Sequence, residues 1–288
     1  MIFTRTPSGL KNFGRFFGAN LTIYVEGRVE CEESVEDPSR ADSKFYSALC
    51  SVFLKGKKIK IKLTGNKKNA LGYHERILAQ NIPNSLVIVD RDYDGVLFYR
   101  QQAPCLILTH GYSWENDFWT EELIQKTLET ATAVNRDERN SEKLNRMGVR
   151  LAKLSSINAA AHCNGKSLFE SKGNSKGINI DPSRYFPVSK NEFSRLSRKF
   201  LVNPVCNVMI QVYETTKRLP PKNVIQGHLW EHASLLLISH VYAKSTSTTL
   251  KNNQILVNIA LSTFANDPAS YLTSEAFDYY DREFSRAM

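Results

Sequence analysis

Apolar residues fall in short runs over the first part of the chain and at helical spacing over the rest. Leu21–Glu26 (LTIYVE), Ser85–Val89 (SLVIV) and Pro104–Leu108 (PCLIL) have the length and composition of buried strands. Lys58–Leu63 (KIKIKL) alternates strictly, which predicts a strand with one wet face. Between them, Lys44–Leu54 sets Phe45, Leu49, Val52 and Phe53 near helical spacing, and Asn69–Gln80 also has a helical pattern. The order β-α-β-α-β-β with short links predicts a parallel, Rossmann-like sheet. Glu30–Asp42, polar, acidic and interrupted by Pro38, reads as an insertion. Beyond Trp119 the pattern predicts helices over Glu121–Val134, Ser141–Ser155, Asn191–Leu201, Val205–Thr216, Leu229–Tyr242, Gln254–Thr263 and Ser274–Arg286. His162–Pro187, rich in Gly, Ser, Lys and Asn, reads as a long loop. The expected architecture is an α/β domain over residues 1–120 followed by a mainly α-helical domain over residues 121–288, for substrate or partner binding.

Two of the predicted strands end abruptly in acid: Tyr24-Val25-Glu26-Gly27 and Val87-Ile88-Val89-Asp90-Arg91-Asp92. A carboxylate at a buried strand tip needs water, a donor or a cation. Ligands on parallel sheets sit beyond the carboxyl ends of the strands, where these acids are expected. Gly27 leaves room beside Glu26. Glu30 follows Glu26 by one helical turn's worth of chain, and Asp90 and Asp92, as alternate residues, point to one side if the chain stays extended. Such a set of oxygen donors suits one or two Mg²⁺ ions, with Mn²⁺ as the substitute. An isolated Asp-x-Asp more often marks a turn or a solvated strand end. The second acidic tip, Glu26-Gly27, tips the balance towards a metal site.

Charge adds a substrate class. The net charge is +9; residues 1–120 carry 16 basic against 13 acidic side chains, and residues 121–288 carry 22 against 16. A basic surface around a small acidic centre suits a phosphate backbone, although solubility alone accounts for a surplus of this size. Lys67 and Lys68, after Gly65, are candidates for contact with a scissile phosphate, as against solvated loop lysines. Lys190, Arg195, Arg198 and Lys199 form a basic face opposite Phe193, Leu196 and Phe200, which suits an RNA backbone, a docked partner or an ordinary amphipathic helix. Lys166, Lys172 and Lys176 lie in the Gly/Ser-rich loop. Glu115 is either a further metal ligand or, with Ser113 as cap, part of a helix N-terminal turn, and Asn116 a positioning group. His110 is a candidate for proton transfer. His228 and His232 lie four apart on one helix-like stretch that also carries His240, but the sequence offers no carboxylate that completes a zinc site, so packing is the expected role. The five cysteines (Cys31, Cys50, Cys105, Cys163, Cys206) are odd in number and scattered. Together with the absence of an apolar leader, this points to a reducing cytoplasm.

The motif set resembles the TOPRIM family shared by topoisomerases, primases, overcoming-lysogenization-defect nucleases and an rRNA maturase. A closer resemblance is to a bacterial TOPRIM-like family. It is carried by Ile23-Tyr24-Val25-Glu26-Gly27, Phe45-Tyr46, Gly65-Asn66-Lys67-Lys68-Asn69, Val89-Asp90-Arg91-Asp92-Tyr93-Asp94, Tyr112-Ser113-Trp114-Glu115-Asn116 and Gly227-His228. The resemblance implies Glu26 as acid/base or metal ligand and Asp90 and Asp92 as metal ligands. Glu30 or Asp42 would be the second family acid, Glu30 being favoured by spacing. It implies a Mg²⁺-dependent endonuclease, the toxic effector of an abortive-infection, anti-phage system. Such an effector is held by an ABC-type ATPase sensor and cuts RNA such as tRNA on release. Separately, one small site with a distant basic domain would be completed as a substrate cradle by a second copy, so a homodimer is a candidate active form. Two rival readings remain. Asp92-Tyr93-Asp94-Gly95-Val96-Leu97 imitates the opening motif of haloacid-dehalogenase phosphatases, though on the third strand instead of the first. A non-catalytic TOPRIM-fold regulatory subunit is the other; keeping its acids together would then be costly without purpose.

Overall fold

The computed structural model describes residue 9 and residues 17–27, 40–98, 103–170, 173, 175–201 and 205–288. Four strands, β1 (Leu21–Val25), β2 (Ile59–Leu63), β3 (Ser85–Val89) and β4 (Leu106–Leu108), form one sheet in the order β2-β1-β3-β4. Every pairing is parallel, with Val25 opposite Leu63 on one side and Ile88 on the other. The expected parallel α/β sheet is therefore present. β1 and β3 are buried along their whole length, as a central strand pair covered on both faces must be. β2 departs from the expected alternation, because all five of its residues are half-buried. Its lysines lie along aromatic surface: Lys62 Nζ sits 4.4 Å from the Tyr73 ring centre and donates to Tyr73 Oη at 2.9 Å, and Lys60 Nζ sits 4.3 Å from the Phe17 ring. Long basic side chains bury their stems this way while the ammonium keeps a polar environment.

By packing, the chain divides into two units: residues 1–91, 101–110 and 264–288 in one, residues 92–100 and 111–263 in the other. The expected single cut near residue 120 treats the domains as consecutive blocks; here the chain returns to the sheet unit at its end. In that unit, helix α1 (Ala41–Phe53) links β1 to β2, and α2 (Lys67–Ala79) links β2 to β3. α2 starts where Asn66 caps it, its Oδ1 accepting from Asn69 N at 3.0 Å. Ala70 and Ile77 of α2 pack with Tyr24, Val87, Val89, Leu106 and Leu108 on one face of the sheet. By alternation, Leu21, Ile23, Val25 and Ile88 serve the opposite face. The last helix, Ser274–Ala287, belongs to this unit; Phe53 of α1 lies 5.3 Å from the Phe284 ring and 5.2 Å from the Phe277 ring. Tyr279 Oη donates to Leu108 O at 2.9 Å, and Arg286 donates to Leu106 O at 2.9 Å and Ala103 O at 3.1 Å, which ties the helix to β4.

The second unit is helical: Trp114–Phe118, Glu121–Thr132, Glu138–His162, Lys190–Leu201, Asn207–Thr216, Gly227–Thr246 and the first residues of Gln254–Asn266. The predicted helices are all found, several longer than expected. The segment expected as a loop after His162 is irregular but anchored. Leu168, Phe169, Ile178 and Ile180 are buried, and Asn158 Oδ1 accepts from Leu168 N at 2.9 Å and Ser167 Oγ at 3.0 Å. Its polar composition hid four apolar anchors spaced too irregularly for a helix or strand. Lys176 lies within this packed stretch, and Lys172 lies outside the described residues. No helix of the described residues is long and apolar enough to cross a membrane.

Candidate functional site

The sheet order 2-1-3-4 has its switch point between β1 and β3, because the chain leaves β1 towards one edge and resumes from β3 towards the other. Ligands on such sheets bind beyond the carboxyl ends at that point. Glu26 and Asp90 follow β1 and β3 there. Glu26 N donates to Ile88 O at 3.1 Å, and one Glu26 carboxylate oxygen (Oε2) accepts from Asp90 N at 3.3 Å. The two acids expected together are thus at neighbouring strand ends. Gly27 turns the chain into an isolated bridge with Gly65, donating to Gly65 O at 2.9 Å. Asp42, buried at the start of α1, lies against Gly27: an added β-carbon would stand 2.6 Å from its Oδ2. Its other oxygen accepts from Ser43 N, in the first turn of the helix, at 2.9 Å. Of the two alternatives for the second acid, Asp42 sits beside Glu26-Gly27, and Glu30 lies outside the described residues. Lys67, in the first turn of α2, donates from Nζ to Arg91 O at 3.2 Å, so its ammonium is held at the same end of β3. Lys68 is exposed. Arg91 turns away, donating to Thr109 O at 2.9 Å with its guanidinium 5.2 Å from the Tyr279 ring. His110 packs against Tyr279 in the same unit, at 5.2 Å between ring centres.

Asp92 falls in the second unit and overturns one premise. Its φ is +50°, so the backbone does not stay extended after Arg91, and the alternation that would send both aspartates to one side does not apply. Asp92 N donates to Tyr112 O at 2.7 Å. Burial, and then the Asp92 charge, push the Tyr93 hydroxyl well above its ordinary pKa.

The same unit holds a cluster that sequence reasoning only half saw. Ser113 precedes helix Trp114–Phe118, and Asn116 Oδ1 accepts from Ser113 N at 3.1 Å, closing the N-terminal turn that was one of the two expectations for this segment. Asn116 Nδ2 also donates to Ile225 O at 3.1 Å. Glu115 is buried, with Oε2 accepting from Ser113 Oγ at 2.6 Å and Oε1 lying 2.9 Å from His228 Nδ1. Glu231 Oε2 lies 3.8 Å from the same nitrogen. The carboxylate partner that the sequence did not offer His228 is therefore Glu115, 113 positions earlier, with Glu231 one turn along its own helix. Glu115, and secondarily Glu231, push the His228 pKa up to about 10, so the ring is an imidazolium at neutral pH. One ligand atom each from Glu115, His228 and Glu231 lies within 4.8 Å of the others, so a divalent cation could take the place of that proton. Gly227 is required by the approach: a β-carbon there would stand 1.8 Å from Ser113 Oγ. Only the spacing of His228 and Glu231, and the Gly-His pair, hinted at this in the sequence. His232 is half-buried, and burial lowers its pKa.

The basic helix Lys190–Leu201 buries Leu196 and half-buries Phe193 and Phe200, so the amphipathic pattern is real. Arg195 is committed to its own helix and loop, donating to Glu192 at 2.6 Å and to Gly177 O at 2.7 Å. Lys190, Arg198 and Lys199 are exposed. Neither the models of known protein families nor the curated proteins give a match to this chain.

Proposed function

We propose that the protein is a metal-dependent nuclease of the TOPRIM class, acting on RNA. The observation that supports it most is the Glu26 carboxylate within 3.3 Å of Asp90 N, at the switch point of a parallel sheet. The donors are carboxylate oxygens, which suit Mg²⁺. When bound, that ion supplies Lewis-acid polarisation of the scissile phosphate. Glu26 would orient the attacking water and accept its proton, with Asp90 sharing the cation. Lys67 would offer a fixed positive charge to a phosphate oxygen. The sequence resemblance to AriB, toxin effector of the PARIS phage-defence system, extends this reading to a toxin restrained by an ABC-type ATPase and released on infection, with tRNA as substrate class.

The test is cleavage of labelled tRNA and single-stranded RNA by the purified protein with Mg²⁺, beside Glu26→Ala and Asp90→Ala. The expected result is cleavage by the wild type alone, with all three proteins folded. A folded Asp90→Ala protein that cuts at the wild-type rate overturns the reading.

A further inference from the structure

Helix Glu138–His162 of the second unit carries Lys143, Arg146 and Arg150 at positions i, i+3 and i+7, on one face. The loop Asp181–Pro187 lies along that face. Asp181 N donates to Pro187 O at 2.8 Å and closes it, and Pro182, Pro187 and Val188 are buried on its flanks. Lys143 Nζ donates to Pro182 O at 2.9 Å, and Arg150 donates to Val188 O. Between these anchors two large aromatic side chains are left on the surface: Tyr185 is 63% exposed and Phe186 is 44% exposed. Their rings meet edge to face, 4.8 Å apart at 89°. Each is backed by a guanidinium, Arg146 at 3.6 Å from the Tyr185 ring centre and Arg150 at 4.2 Å from that of Phe186.

Adjacent aromatics this exposed on a well-anchored loop need an explanation, since burying them is favourable. An arginine on one side fixes each ring and leaves the other side to solvent. A cavity of about 330 Å³ next along the helix is lined by Arg136, Arg139, Lys143 and Lys244 together with Glu129 and Asp137. Arg136 is paired with Glu121 and Glu122, and Arg139 with Asp137, so its surplus positive charge is that of Lys143 and Lys244. Stacking rings beside this surplus charge match unpaired nucleotides, whose bases offer a π-face and whose backbone offers one negative charge per residue. A protein partner would find the rings but gain little from the surrounding charge. A duplex would hide its bases from the rings.

We infer that Tyr185 and Phe186, with Lys143 and Lys244 of the cavity beside them, form a binding surface for unpaired nucleotides of RNA, the bases stacking on the rings and a phosphate meeting the two lysines. Its role as a substrate surface rests on the nuclease reading; its binding activity does not.

The experiment is fluorescence anisotropy of the full chain in EDTA, so that binding is read without cleavage. The probes are a labelled twelve-nucleotide single-stranded RNA, its duplex and the same sequence as single-stranded DNA. The expected result is binding of the single strand at least tenfold tighter than the duplex. Tyr185→Leu/Phe186→Leu, which keeps apolar bulk and removes the π-faces, is expected to weaken single-strand binding at least tenfold. Lys143→Ala/Lys244→Ala is expected to flatten the dependence of affinity on salt. Equal loss on single-stranded DNA supports the surface, since base and phosphate are shared. Absence of single-strand binding by the wild type, or unchanged binding by the folded leucine variant, overturns the inference; the second result makes the patch a protein-docking face. Binding without cleavage under Mg²⁺ removes the nuclease reading and leaves this surface standing. Cleavage with binding indifferent to the leucines does the reverse.

Discussion

Asp42 presses its carboxylate against Gly27, so closely that a β-carbon on Gly27 would stand 2.6 Å from Asp42 Oδ2 and 2.7 Å from Leu63 Cδ2. The glycine after Glu26 is therefore a packing requirement set by Asp42 and Leu63. Gly27→Ala is expected to cost about 1–3 kcal/mol of stability, the usual penalty for an overpacked interior. Urea denaturation checks this, and an unchanged midpoint would remove the requirement.

The acidic strand ends carry a second expectation. Removing one carboxylate from Glu26 or Asp90 relieves like-charge repulsion in the metal-free protein. Glu26→Gln and Asp90→Asn should therefore melt no lower than the wild type without metal. With Mg²⁺ at about 100 times its dissociation constant, the wild type should gain about 2.7 kcal/mol by mass action, and the variants little. Differential scanning fluorimetry across a Mg²⁺ series reads both effects; an equal gain in all three proteins would place the ion elsewhere.

His228 predicts a pH dependence with a definite sign. Its pKa lies near the ordinary 6.5 in the unfolded chain and is pushed up to about 10 by Glu115 and Glu231. A group whose folded pKa is raised stabilises fully below the unfolded value and loses that contribution as pH rises through the folded value. Stability should therefore fall from pH 6.5 towards pH 10. The imidazole is 43% exposed, so solvent screens much of the pairing, and about 1 kcal/mol is expected in place of what the full shift implies. His228→Asn should lack this fall, so the stability difference between the two proteins should shrink as pH rises from 6.5 towards 10. Parallel profiles would show that the pair contributes nothing.

The C-terminal helix should be indispensable to the sheet unit. Tyr280 is fully buried and Phe284 nearly so, and each such ring contributes about 1.5–3 kcal/mol. A chain ending before Ser274 would expose Phe53 and leave Leu106 O and Ala103 O without Arg286. It is expected to aggregate or unfold, seen as loss of the cooperative melting transition; a soluble, cooperatively folding truncation would contradict the packing described. Arg286→Ala, a milder change, should lower stability by about 1–3 kcal/mol, since a charged donor to two carbonyls is lost.

The strands were legible because each is a local run bounded by a turn, and strand identity depends mainly on neighbours a few residues away. Glu26 and Asp90 were legible for the same reason, as polar residues ending apolar runs. The half-burial of both faces of β2 was not, because it depends on aromatic partners, Phe17 and Tyr73, that no alternation pattern encodes. Nor was the turn at Asp92, where a non-glycine residue adopts a positive φ within an otherwise strand-like run. Tyr185 and Phe186 were lost inside a segment whose composition spoke only of a loop.

By itself the sequence determined the parallel α/β unit, the helical character of the remainder and the two acid-tipped strands, all of which follow from short-range periodicity. Only the tertiary structure decided that Asp42 lies beside Gly27, that Glu115 and His228 form an ion pair across 113 positions, and that the last helix completes the sheet's core. Those pairings depend on which apolar faces cover which, and burial is a property of the whole packed chain that no local pattern carries.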